Sequence, residues 1–149
     1  MKPRILMNEV DPNAYKAMYS LEGYLANASM DKKMLELIKI RASQINGCAF
    51  CIDMHTKDAR KLGETEQRIY ALNAWRETNF FSEKERAVLA LTEAVTLVSS
   101  EHVSDEVYDE VNRSFSEKEI AELIMAIVTI NAWNRIAITT RMMPAESEE

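Results

Sequence analysis

Apolar residues recur at three- and four-residue intervals along most of the chain, the spacing of amphipathic helices rather than strands. Asp11-Pro12 reads as a helix start with proline in the first turn, followed by Ala14, Met18, Leu21 and Leu25 on one face. Ser29 or Asp31 can cap a second helix whose inner stripe is Met34, Leu35, Ile38, Ala42 and Ile45. Asn46-Gly47 then supplies a C-terminal cap and turn. A third helix runs from near Cys48 to Leu62-Gly63, and a fourth from Thr65 through Ile69, Leu72 and Trp75, until Asn79-Phe80-Phe81 breaks the pattern.

Two capping boxes mark later starts. Ser82-Glu83-Lys84-Glu85 opens a helix through Val88, Leu89, Leu91, Ala94, Val95 and Leu97. Ser116-Glu117-Lys118-Glu119 opens the last one, with Phe115 and Ile120 placed as a hydrophobic staple. Between them Ser104 or Asp105 starts a short helix over Val107, Tyr108 and Val111. The final helix extends from Glu117 to about Arg141 and is strongly apolar, which predicts a central or subunit-interface position. Phe-Ser-Glu-Lys-Glu occurs at 81–85 and again at 115–119. The flanking residues do not repeat, so this is one capping solution used twice and not a solenoid period.

These elements predict an all-α, single-domain bundle of about six to seven helices over residues 1–149. Its core covers about 15–141, and 142–149 form an acidic tail. With three glycines and three prolines the chain has few strand-and-turn signals. The formal net charge of −6, without a basic stripe, argues against nucleic acid as a partner. The first ten residues lack the apolar run of a signal peptide, and no uninterrupted apolar stretch approaches about 18 residues. The expectation is a cytoplasmic protein without membrane contact.

The candidate chemistry lies in Asn46-Gly47-Cys48-Ala49-Phe50-Cys51-Ile52-Asp53-Met54-His55, which contains both cysteines of the chain. On a helix, Cys48, Cys51 and His55 share a face. A cysteine at a helix N-terminus meets partial positive charge and free N–H groups, both of which favour the thiolate. In a reducing compartment such a pair points to catalysis or metal binding more than to a structural disulfide. Three readings stay open: a redox pair, a buried apolar pair without chemistry, and a zinc site built from Cys48, Cys51, His55 and His102. His102 sits in a polar segment far along the chain and reads as a solvated loop residue. Glu36, on the preceding helix, is either an outer-face carboxylate or a partner that orients His55. Lys39 and Arg41 read as residues of a solvated face.

The spacing of Glu36, Cys48, Cys51 and His55 resembles the signature of the alkylhydroperoxidase D-like (carboxymuconolactone decarboxylase) family. The match extends to Ser43, Asn46-Gly47 and the 57–63 continuation, and the 131–136 segment is similar to the family's last helix. The resemblance implies an all-helical fold assembling as a homo-trimer or homo-hexamer. It implies that Cys51 attacks a hydroperoxide, that Cys48 resolves the sulfenic acid as a disulfide, and that an external dithiol or protein reductant restores both thiols. Glu36 and His55 would form the proton relay, and no cofactor or metal is implied. One position departs: Phe50 stands where well-characterised relatives carry a histidine, which shortens the relay. The function expected is a thiol-dependent peroxidase. The alternatives are a thiol–disulfide oxidoreductase or redox sensor with a protein partner, and a non-redox lyase of the decarboxylase type.

Overall fold

A computed structural model describes residues 1–147 of the chain. The last two positions of the expected acidic tail fall outside these. Among the described residues there are no strands. The elements are α1 (Met7–Val10), α2 (Pro12–Ala26), α3 (Lys32–Asn46), α4 (Ala49–Lys61), α5 (Glu66–Tyr70), a 3₁₀ helix (Leu72–Glu77), α6 (Glu83–Thr96), α7 (Val98–Glu101), α8 (Asp105–Ser114) and α9 (Glu117–Thr140). The count exceeds six to seven for two reasons. The single-turn α1 and α7 are too short to leave a periodic signature. The expected helix from Thr65 to Trp75 divides at Ala71 and continues as the 3₁₀ helix, where Ala74 departs from helical geometry (φ −118°). The Arg86 guanidinium donates to the Trp75 and Thr78 carbonyls (both 3.0 Å), holding the end of the 3₁₀ helix against α6.

The capping signals form as expected. Thr65 and Ser104 cap α5 and α8, and both capping boxes are complete. Asp31 caps α3 by accepting from the Met34 N–H (3.0 Å). Ser29 serves elsewhere: its N–H and hydroxyl both donate to the buried Glu122 carboxylate (3.1 and 2.9 Å), tying the α2–α3 loop to α9. Asp11 precedes Pro12 at the start of α2 without a side-chain cap bond.

Helix α3 lies in the middle and packs against α4, α6 and α9. It buries Leu35, Ile38 and Ala42 in one core cluster and Leu37 and Ile40 in another. The first cluster joins α3 to Leu91 of α6 and to Leu123, Ala126, Ile127 and Ile130 of α9. Helix α9 alone among the described residues is long and apolar enough by composition to cross a membrane. Its stripe of Ile120, Leu123, Ile127 and Ile130 is instead spent on this core, and it also buries Glu122 and Asn134. Burying two polar side chains inside a bundle is tolerable because each is hydrogen-bonded.

Two glycines should respond oppositely to substitution. Gly47 ends α3 in the left-handed region (φ +68°), where a Cβ strains the backbone whatever the space around it. Gly23 lies exposed within α2 with open space about it. In chemical denaturation, Gly47→Ala is expected to lose about 1 kcal/mol, and Gly23→Ala to gain about 0.5–1 kcal/mol. A Gly47→Ala protein as stable as the wild type would contradict the turn geometry.

Candidate active site

The turn between α3 and α4 places both sulfurs. With Gly47 left-handed, the Cys48 N–H returns to the Ser43 carbonyl (3.0 Å) and the Gly47 N–H to that of Gln44 (3.3 Å). This six-to-one closure is a Schellman ending for α3. The Cys48 carbonyl then accepts from the Ile52 N–H (2.9 Å), the first bond of α4. Cys48 is thus the N-cap residue of α4, and Cys51 lies in its first turn.

A polar knot holds this turn against α9. Asn46 Nδ2 donates to Asn131 Oδ1 and to Asn134 Oδ1 (both 2.9 Å). Asn134 Nδ2 donates in turn to Ser43 Oγ (2.9 Å). Asn134 is fully buried, and its amide favours the ionised form of both thiols. The sequence marks Asn46 for the turn and Ser43 for the family resemblance, but not their bonds to Asn131 and Asn134. The available signal was polar: two asparagines, Asn131 and Asn134, interrupt an otherwise isoleucine-rich helix.

Both cysteines are free thiols and buried, Cys48 at 1% exposure and Cys51 at 3%. They are not equivalent. Cys51 lines a cavity of about 400 Å³ together with His55 and Glu36, whereas Cys48 lies behind it. The hydrogen bond from the Cys51 thiol holds Cys48 well below the ordinary thiol range, at about 6, against the opposing effect of burial. The Cys51 backbone N–H, Asn134 and His55 act in the same direction. That same bond, burial and the neighbouring charge push Cys51 up. Two adjacent buried thiols carry one negative charge between them, because a second would face the first in a medium of low polarity.

Glu36 resolves the open choice between an outer-face and a paired carboxylate. It is 8% exposed, and its Oε2 lies 2.9 Å from His55 Nδ1. Its Oε1 accepts from Lys39 Nζ at 3.1 Å. Burial alone would raise Glu36, but the bonds from His55 and Lys39 outweigh it and keep the carboxyl below its usual range. An ionised carboxylate only accepts, so His55 Nδ1 carries its hydrogen toward Glu36 and Nε2 is the nitrogen free for exchange.

Lys39 and Arg41 do not lie on a solvated face. Each side chain is 15% exposed, and Arg41 Nε donates to Glu93 Oε1 (2.9 Å). The Trp75 indole (2.8 Å) and Arg76 (2.6 Å) complete the shell around Glu93. The helical period hid this because α3 has neighbours on nearly every side. The four zinc candidates do not come together. His102 is exposed at the end of α7, while both cysteines are buried. Glu36, His55 and Asp58 do bring ligand atoms within 4.8 Å of one another. Both Glu36 oxygens are nevertheless engaged by His55 and Lys39, which leaves the carboxylate occupied by bases within the protein.

The remaining walls come from elements distant in sequence. Trp133 of α9 lines the cavity with Tyr15 and Tyr19 of α2, Phe50 and Met54 of α4, and Met142 beyond α9. The Tyr15 hydroxyl donates to Met142 Sδ (3.5 Å), so the start of the expected tail is part of the site. The Trp133 segment, without an assigned role in the sequence, supplies both the wall and the Asn134 amide that anchors the turn.

Fold and site together define an all-helical protein with a buried, asymmetric thiol pair beside a hydrogen-bonded carboxylate and imidazole. The sequence profile of the Carboxymuconolactone decarboxylase family matches residues 12–94, and the chain belongs to that family. The uncharacterised protein YdfG of Bacillus subtilis is 50% identical over 138 residues, covering 93% of this chain and 94% of that one. A solved structure from Agrobacterium tumefaciens, of a protein of unknown function grouped with the antioxidant defence protein AhpD, is 41% identical with a TM-score of 0.94. It covers 97% of this chain and 100% of its own. The alkyl hydroperoxide reductase AhpD of Maricaulis maris is 45% identical over 47 residues, 32% of this chain and 27% of that protein. This chain thus matches only about a quarter of that reductase's length.

The charge assignment can be read directly. Thiolate absorbance near 240 nm should fall in a step centred near pH 6 as the pH is lowered. Cys48→Ser should abolish the step, and Asn134→Ala should move it upward. Because the folded pKa is below that of the unfolded thiol, the associated stability is complete above the unfolded value, about 8.5. It is lost as pH falls toward 6. One thiol step near the unfolded value, in all three proteins, would refute the assignment.

Proposed function

We propose that this chain is a thiol-dependent peroxidase that reduces hydroperoxides through a Cys48–Cys51 disulfide cycle. The observation that carries the reading is the asymmetry of the pair: Cys51 faces the cavity beside Glu36 and His55, with Cys48 directly behind it. The AhpD relatives support the same chemistry over the matched segment.

The resting charge lies on Cys48, so the nucleophile forms when Cys51 passes its proton to Cys48 across their hydrogen bond. This step shortens the relay expected from sequence, in which Glu36 and His55 alone deprotonate Cys51. His55 Nε2 holds the proton that Cys48 gave up; Cys51 Sγ attacks the distal peroxide oxygen, the O–O bond breaks, and the alcohol leaves with that proton. Cys51 is now a sulfenic acid. Cys48 returns its proton to the relay and attacks Cys51 Sγ, expelling the hydroxyl as water and closing the disulfide. The net change is one hydroperoxide and two thiols to one alcohol, one water and one disulfide. An external dithiol reduces the disulfide. Glu36, held ionised by Lys39, stabilises the imidazolium whenever His55 holds the extra proton.

The burial of both sulfurs favours a small-molecule oxidant over a folded protein disulfide, which could not reach Cys51 without displacing the cavity walls. A single equivalent of an organic hydroperoxide should remove two thiols from the wild type. In Cys48→Ser it should leave a sulfenic acid on Cys51, identified by trapping and mass spectrometry. Retained thiols in the wild type would end the peroxidase reading. Glu36→Gln should lower turnover by about 100-fold, and an undiminished rate would remove Glu36 from the relay.

We also propose a homo-trimer or homo-hexamer. Ile124 and Val128 sit one turn apart on the outer face of α9 at 38% and 43% exposure, apolar surface that association would cover. A monomer in sedimentation at micromolar concentration would rule this out.

A further inference from the structure

The cavity beside Cys51 is far larger than its smallest conceivable substrate. Hydrogen peroxide is little bigger than water, which occupies about 30 Å³ in the liquid, against a cavity of about 400 Å³. The excess space has a specific lining. Trp133 packs edge-on to Tyr15 (ring centroids 5.3 Å apart, 72° between planes) and tilted against Tyr19 (6.2 Å, 50°). The three rings thus form one continuous wall. The indole N–H is already spent on Glu22 Oε1 (2.9 Å), which fixes the ring and leaves it no donor for a ligand. Phe50, adjacent to Cys51 in the chain, lines the same space.

The charges point the same way. Three carboxylates line the cavity: Glu36 is paired with Lys39 and Asp58 with Lys61 (3.0 Å), which leaves the charge of Glu22 uncompensated. Glu22 has no ion-pair partner among the described residues. A substrate bearing a carboxylate would meet this excess of negative charge in a partly desolvated site.

We infer that the cavity selects a neutral aromatic substrate and rejects anionic ones. Under the peroxidase reading, on which the substrate identity rests, that substrate is an uncharged aryl hydroperoxide. Its ring stacks against the Trp133–Tyr15–Tyr19 wall and its peroxide group reaches Cys51. The departure at Phe50 then has a role: it trades a proton-relay side chain for aromatic surface.

Two measurements separate the cavity's selectivity from its chemistry. In the first, kcat/KM is compared for cumene hydroperoxide, its para-carboxylate and tert-butyl hydroperoxide. The neutral aryl compound should exceed each of the others at least tenfold. Trp133→Ala should erase the advantage over tert-butyl hydroperoxide, and Glu22→Gln should narrow the gap to the carboxylate. Equal values across the three wild-type substrates would overturn the inference. In the second, the unreactive alcohol 2-phenyl-2-propanol is titrated into the Cys51→Ser protein while tryptophan fluorescence is followed. A saturable change, absent with tert-butanol and lost in a Trp133→Phe background, is the expected result. No saturable change would overturn the inference whatever the peroxide rates. Saturable binding with no turnover of any peroxide would leave the aromatic site standing and end the peroxidase reading alone.

Discussion

The structure depends on how the α3–α4 turn is held. A left-handed Gly47 lets α3 end and α4 begin within two residues, so that Cys48 closes one helix and caps the next. A turn this tight would still be free to swing if only its backbone were fixed. The side-chain chain from Asn46 to Asn134 to Ser43 pins it to the central helix α9. Buried amides are costly without partners and rigid with them, and here the same amide that locks the turn also favours the thiolate form of the pair. Packing and chemistry therefore share one residue, Asn134, and the position of the thiol pair follows from the bundle's core rather than from a surface loop.

The thiol pair works through inequality. Both sulfurs are buried, yet only Cys51 borders the cavity, while the arrangement of donors concentrates the single negative charge on Cys48. The Glu36–His55–Lys39 group adds a carboxylate that is bonded to two bases at the wall and held ionised by them. Asp58 lies near the same imidazole and adds negative charge at the cavity without displacing Glu36 as its partner.

The thiol pair and the Glu36–His55 couple lie on α3, α4 and the turn between them. The wall opposite Cys51 comes from α2, α9 and the segment after α9, parts of the chain that the thiol motif does not constrain. Tyr15, Tyr19, Trp133 and Met142 converge from positions more than a hundred residues apart. A change of substrate can therefore occur by altering one wall while the sulfur chemistry stays as it is.

The order and type of the helices were legible in the chain because their signals are local. Capping boxes at Ser82 and Ser116, the Thr65 and Ser104 caps, and Gly47 each act within one turn, and all formed where the pattern placed them. The Cys48–Cys51–His55 set was legible for the same reason, being confined to one helix. Periodicity failed where packing on several sides overrode it: Lys39 and Arg41 looked solvated, yet Lys39 turns to Glu36 on its own helix and Arg41 to Glu93 of α6, and the helix beyond Thr65 gives way to a 3₁₀ helix whose end is bonded by Arg86. Local sequence thus determined which segments are helical and which residues carry sulfur and imidazole. Tertiary structure alone decided which sulfur faces the cavity, that Glu36 meets His55, and that an aromatic wall stands opposite. Those relations require side chains distant in the chain to be buried against one another, and burial is set by the whole packed bundle.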